Sequence, residues 1–216
     1  MSRILNVHHQ LRGTPRRRTA TRRHIIHHSY SGDVSSQTIH QWHLARETNG
    51  QPWLGIGYHF VIRRNGGIET GRAIDTVGAH AGASANGDSI GTCITGNFER
   101  DLPTPQQIDS LLWLHRVHLR ERYGDLELTG HNQHMATSCP GTRFPWAEVR
   151  RRLNEYPEVT LYFNNQLVTL PTRIEAGRTQ VLIDGQWFTI RAMVDAFPGM
   201  EVTWDQATRT ARIFVR

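Results

Sequence analysis

The feature that most limits what this chain can become is a change of character between Asn154 and Glu158. Before it, apolar strand-like runs alternate with helix signals; after it, short strand-like runs are separated by turn residues. The 216 residues therefore divide into a body long enough to bury its own core and a tail, residues 159–216, that is marginal unless well packed. With 38% apolar and 20% charged residues, the composition is that of a globular chain rather than a disordered one.

Within the body, His24-Ile25-Ile26 runs into His27-His28-Ser29 and reads as a short buried strand with a polar end. Asp33 to Ser36 offer N-caps for a helix expected to run to about residue 47, where Asn49-Gly50 would end it. Gly57 to Ile62 reads as a strand, with Asn65-Gly66-Gly67 turning into Ile68-Glu69. A glycine- and alanine-rich loop, Gly78 to Gly87, precedes the apolar strand Ser89 to Ile94. The clearest helix starts at Thr104, where Gln107 completes a capping box and Pro105 takes the first helical position. Ile108, Leu111, Leu112, His115 and Leu119 give it one buried face, and Tyr123-Gly124 closes it. The loop His131 to Gly141 leads to a last short helix near Trp146 to Leu153. In the tail, turns are expected at Asn164-Asn165, Asp184-Gly185 and Asp205-Gln206, with a short helix near Arg191 to Ala196.

The charge is uneven. Residues 1–23 hold seven arginines (Arg3, Arg12, Arg16, Arg17, Arg18, Arg22, Arg23) and no acid; without them the net +6 becomes about −1. A basic N-terminal arm on a near-neutral body suits attraction to a polyanion, anionic wall polymers among them, and is equally compatible with a solvated tail. The body shows no nucleic-acid-binding motif and the arm no interleaved aromatics, so nucleic acid is not the expected partner. All 25 basic residues are arginine, which excludes a lysine nucleophile or Schiff base. No run is long and apolar enough for a membrane helix, and the N-terminus lacks the apolar core of a cleavable signal. A monomer that stays cytoplasmic until released is the expectation.

His27 stands at a strand end, from which a side chain can project into a cleft. His131 and Cys139 are eight apart in a loop bounded by Gly130 and Pro140-Gly141. Two imidazoles and a thiolate suit zinc, and three protein ligands leave a position for the water of a catalytic site. Each residue alone has an ordinary alternative, a core histidine or a small buried hydrophobe, and spacing by itself leaves both open. Cys93, inside an apolar strand, is expected as a buried free thiol.

Four motifs stand in fixed order: Ile25-Ile26-His27-His28-Ser29, Gly57-Tyr58-His59-Phe60, Gly78-Ala79-His80 through Asn86 to Ser89-Ile90-Gly91, and Gly130-His131 through Cys139-Pro140-Gly141. Over residues 22 to 153 the chain resembles the type-2 N-acetylmuramoyl-L-alanine amidases, which include phage lysis amidases and peptidoglycan recognition proteins. The resemblance implies an α/β fold with a mixed central sheet flanked by helices, plus a small C-terminal α+β module. It implies Zn2+ on His27, His131 and Cys139, with peptidoglycan as substrate, cut between N-acetylmuramic acid and L-alanine. Tyr58 would lie beside the attacking water and stabilise the tetrahedral intermediate. His28, His80 and Asn86 match positions lining the muropeptide groove. Some phage members carry a catalytic lysine two residues before the zinc cysteine; Thr137 stands there in this chain, as in the catalytic recognition proteins, and as the second catalytic residue beside Tyr58 it would assist by donating a hydrogen bond, without supplying a positive charge. A binding-only receptor and a wall endopeptidase are the alternatives. Segments of the tail, among them Ala176-Gly177-Arg178-Thr179 and Val202-Thr203-Trp204-Asp205, resemble the small domain at the N-terminus of copper amine oxidases. The tail has no histidine or cysteine for a copper site, and a wall-attachment role is an analogy. The expected layout is thus an arm (1–23), a zinc amidase domain (24–153) and an appended module (159–216).

Overall fold

The computed structural model describes residues 3–154 continuously, then 160–164, 166–168, 172–175, 178–183, 186–190, 192, 199–205 and 210–215. The chain divides into two compact units, one running to Val149 and one from Arg150 to Arg216.

In the first unit, β1 (Ile4–Leu5), β2 (Arg23–His28), α1 (Ser36–Leu44) and a small hairpin, β3 (Glu47–Thr48) and β4 (Gln51–Pro52), come first. Then follow β5 (Phe60–Ile62), β6 (Ile68–Thr70), α2 (Ala83–Asn86) and β7 (Ser89–Ile94). A long helix α3 (residues 105–123), β8 (Glu127–Gly130) and α4 (Trp146–Asn154) complete the order. Six strands make one mixed sheet in the order β1-β6-β5-β7-β2-β8. Only β5 and β6 pair antiparallel. Both faces of the sheet are covered, which is why β2 reads as a continuous buried run. Alternation along β2 and β7 puts Ile25, His27 and Cys93 on the face covered by α1, where Ile39, Ile56, Val61 and Cys93 pack together. His24, Ile26 and Thr92 take the other face, where the His24 ring stacks on His115 of α3.

Several boundaries differ from the sequence reading. α1 ends at Leu44, because Asn49 and Gly50, at φ 53° and 72°, form the two-residue turn of the β3–β4 hairpin instead of a helix stop. The strand expected over Gly57 to Ile62 is regular only from Phe60. The Thr104–Gln107 capping box and Pro105 start α3 as expected. The helix then widens into a π-helical stretch, Leu114–Leu119, before a last α-turn, Arg120–Tyr123. Leu114 and Leu119 are both fully buried; five residues apart, they share a face only in the wider π turn.

The residues expected as a basic arm are largely packed on this unit. β1 pairs with β6, Arg12 N–H donates to the Leu54 carbonyl, and Arg17 bridges Thr76. Arg18 is buried, donating to the Ile74 and Thr76 carbonyls, and Arg23 pairs with Asp88. Arg12, Arg16, Arg17 and Arg22 remain exposed.

The second unit carries strands β9 (Thr160–Phe163), β10 (Gln166–Val168), β11 (Thr172–Glu175), β12 (Arg178–Ile183), β13 (Gln186–Thr189), β14 (Met200–Asp205) and β15 (Thr210–Val215). They form two sheets, β10-β9-β15-β14 and β11-β12-β13, antiparallel except for β9 with β15. Of the helix expected near Arg191 to Ala196 only Ala192 is described, its N–H donating to the Thr189 hydroxyl (3.0 Å), and the turns at Asn165, Asp184-Gly185 and Gln206 lie outside the described residues. No described helix is long and apolar enough to cross a membrane.

Candidate metal centre and its surroundings

His27 is the penultimate residue of β2, and His131 follows directly on the end of β8, its parallel neighbour. Cys139 is brought back to them by a backbone clasp, in which Asn132 N–H donates to the Cys139 carbonyl (2.8 Å). The Thr137 hydroxyl caps the same turn by accepting from Cys139 N–H (3.3 Å). Ligand atoms of His27, His131 and Cys139 come within 4.8 Å of one another. His27 Nδ1 lies 3.8 Å from Cys139 Sγ, and the His27 and His131 ring centres are 4.4 Å apart.

Burial sets the protonation of this trio. Desolvation, then the neighbouring imidazoles, holds His27 well below the usual histidine pKa, and His131 is lowered for the same reasons. Both rings therefore offer neutral lone pairs at neutral pH. Burial pushes the Cys139 thiol up to about 11, against the pull of the His28 N–H that donates to its sulfur (3.4 Å). A thiolate at that place needs a cation beside it. His131 Nε2 is buried and has no hydrogen-bond partner. Two neutral imidazoles, one of them with an orphaned nitrogen, and a thiol short of a cation are a donor set that fits zinc.

The other expected residues are placed unequally. The His80 ring nitrogen Nδ1 is 3.0 Å from His27 Nε2, and His80 Nε2 is 3.5 Å from the Ser89 hydroxyl, which donates to the Ala85 carbonyl (2.6 Å). One consistent direction runs through these contacts: His27 Nε2–H donates to His80, and His80 Nε2–H donates to Ser89. This leaves His27 Nδ1 unprotonated and turned toward Cys139; the tautomers are assigned from the network. Space for the His80 ring comes from Gly91 of β7, where a Cβ would stand 2.5 Å from its carbons. Asn86 holds the His80 loop from below, its side-chain oxygen accepting from His80 N–H (2.9 Å) and Ala81 N–H (2.8 Å).

The Tyr58 ring centre lies 5.0 Å from that of His27, although Tyr58 precedes β5 rather than ending it. Its hydroxyl, raised well above the ordinary tyrosine pKa by burial and the two cysteines, keeps its proton. His28 points to the opposite sheet face and accepts from Phe98 N–H through Nδ1 (3.1 Å), with the exposed Tyr30 ring 5.4 Å away. Thr137 is exposed on the Cys139 loop. Cys93 is buried, and both cysteines are free.

Residues that sequence reasoning passed over hold Tyr58 in place. His40 and His43 of α1 accept from Ile56 N–H (3.2 Å) and Gly57 N–H (3.0 Å), and the His43 ring stands 5.4 Å from Tyr58. Gly57 is forced by closeness, since a Cβ there would meet the Ala79 carbonyl oxygen at 2.0 Å. The i, i+3 spacing of His40 and His43 on one helix face was the available signal.

Residues 17–142 match the profile of the family described as N-acetylmuramoyl-L-alanine amidase. An endolysin of Klebsiella phage KP32 is 37% identical over 113 residues, covering 50% of this chain and 70% of that protein. Peptidoglycan-recognition protein LB of Drosophila melanogaster is 35% identical over 132 residues, covering 58% of this chain and 56% of that protein. Among solved structures, N-acetylmuramoyl-L-alanine amidase LysC from Clostridium intestinale URNW superposes with a TM-score of 0.65 at 33% identity, covering 71% of this chain and 99% of that one.

Proposed function

Because the chain belongs to the N-acetylmuramoyl-L-alanine amidase family, we propose that it is a zinc-dependent lytic amidase that cuts peptidoglycan between N-acetylmuramic acid and the first L-alanine. The observation that carries the metal is the convergence of His27, His131 and Cys139, with His131 Nε2 buried and unpartnered. Zinc held there supplies a Lewis acid for the scissile carbonyl and lowers the pKa of a coordinated water to roughly 7.

The chain's own residues do the rest. His80 fixes the His27 tautomer, so that Nδ1 is the nitrogen available to a metal. The Tyr58 hydroxyl, still protonated at neutral pH, donates to the oxygen on which negative charge develops. Thr137 braces the Cys139 turn, and its hydroxyl adds no charge to the intermediate. His28 and Asn86 shape the groove through the Phe98 backbone and the His80 loop. The exposed arginines Arg12, Arg16, Arg17 and Arg22 offer attraction to anionic wall polymers. Residues 159–216 act as an appended module, and the enzyme works on the wall once released from the cytoplasm.

The test is digestion of purified peptidoglycan by wild type and Cys139→Ala, with zinc quantified in both and products weighed. Stem peptides with a free L-alanine amine, lost together with zinc in the variant, are the expected result. Wall binding without cleavage at any zinc concentration would make the protein a receptor; cleavage within the stem peptide would make it an endopeptidase.

A further inference from the structure

A cavity of about 710 Å³ lies between the N-terminal segment and the β5–β6 side of the sheet, with His118 of α3 also lining it. No acidic residue lines it, whereas Arg72, His8, His9, His59 and His118 do. Arg72 is 5% exposed; its Nε donates to the Ile56 carbonyl (3.0 Å) and its Nη1 to the Val77 carbonyl (2.9 Å). Its Nη2 makes no hydrogen bond, and no carboxylate pairs with it among the described residues. Arg18, buried to a similar degree, differs in feeling the field of Asp75. Burial pulls Arg72 down to about 10, so it remains charged at neutral pH. A buried cation without a counter-charge is costly, and an unspent Nη2 on a residue that lines a cavity invites an anion.

His9 adds a second polar group. Its Nε2 donates to the Thr70 carbonyl (3.0 Å), and Nδ1 is buried without a partner. A ligand that satisfies both would offer anionic oxygens to the guanidinium and a hydrogen-bonding group to the imidazole. A phosphate monoester, with three terminal oxygens and a proton that titrates near neutrality, meets both whichever way Nδ1 is protonated, whereas a carboxylate can accept but has no proton to give. Ile4, Val7, Leu11, Phe60 and Ile74 supply apolar wall for an organic body.

We propose that this cavity is a binding site for a phosphate monoester with a small apolar body, held by Arg72 and His9 and separate from the metal centre. The test titrates the full-length protein with hexyl phosphate, hexanoate and hexanol while following the imidazole NMR signals of His8, His9 and His118. Saturable shifts with hexyl phosphate are expected, weakened roughly tenfold or more by Arg72→Gln. Ala73 lines the cavity and is exposed, so Ala73→Phe narrows its opening without removing a side-chain hydrogen bond and is expected to weaken the shifts severalfold. Should Arg72→Gln fail to fold, Ala73→Phe carries the test. No saturable shift, unchanged affinity in the folded variants, or equally tight binding of hexanoate or hexanol would each overturn the assignment.

Discussion

His27 and His24 stand three residues apart on one strand, both with no exposed surface and both held well below the ordinary histidine pKa by burial. They lie on opposite faces of the sheet, and the difference that matters is how the nitrogens are used. Each His24 nitrogen has a partner: Nε2 lies 2.7 Å from the Thr92 hydroxyl, and Nδ1 3.2 Å from His115 Nδ1. At His27 one nitrogen is taken by His80, while the other faces a thiol at 3.8 Å, next to the orphaned His131 Nε2. Burial and a shifted pKa thus mark both places, and only unspent lone pairs separate a candidate metal site from a satisfied core pair.

The sharpest way to break this comparison is to remove one member from each cluster. His27→Ala is expected to lose zinc and, with it, several kcal/mol of transition-state stabilisation, a drop of roughly 10³-fold or more in peptidoglycan cleavage. His24→Leu is expected to keep one zinc per chain and to cost stability instead, about 1–3 kcal/mol for the Thr92 and His115 groups left unpaired. Zinc by mass spectrometry and unfolding in urea read the two effects. A zinc-free His24→Leu that remains folded would erase the distinction.

Tyr58→Phe comes next in size. The ring contacts with His27 and His43 stay, so zinc should be retained while kcat falls roughly 10²–10³-fold, the usual cost of one donor to a developing oxyanion. Equal kcat in the variant would reduce Tyr58 to a packing residue.

His80→Ala sharpens the comparison from the partner's side. Removing the group that orients a ligand typically costs about 10–100-fold in metal affinity. Competition with a chelator should show that loss, and Asn86→Ala should show a smaller one, because Asn86 reaches His27 indirectly, through the backbone of His80 and Ala81. Unchanged zinc affinity in His80→Ala would return His80 to the substrate groove expected from its motif.

What the sequence made legible follows from these contacts. The capping box at Thr104 and the trio His27, His131 and Cys139 are carried by local patterns or an ordered set of motifs. The packed N-terminal segment was not legible, because its arginines look solvated until Arg18 is seen donating to carbonyls more than 50 residues away. Asn49-Gly50 carries the same letters for a helix stop and for a hairpin, and only pairing of Glu47 with Pro52 decides between them. The contact of His80 with His27 was not legible either, because it depends on the notch at Gly91.

The smallest expected effect is the pH dependence of the His24 pair. His115, lowered to about 4 by burial and neighbouring arginines, is a base that the folded state keeps neutral. Above about pH 6.5 neither folded nor unfolded chain protonates it, and it adds nothing to the pH dependence. Between about 6.5 and 4 the unfolded chain takes up a proton that the folded one refuses, so stability falls as pH falls. One such group contributes at most ~1.4 kcal/mol per pH unit to that slope. His115→Asn keeps a polar atom near the position of Nδ1 and removes the titration. It should therefore flatten the urea-midpoint profile between pH 6.5 and 4 by up to one proton's worth, with zinc content at pH 7 unchanged. A profile as steep as wild type would mean that His24 and His115 are wetter than the packing against Thr92 and α3 implies, and that the contrast with His27 rests on more than spent lone pairs.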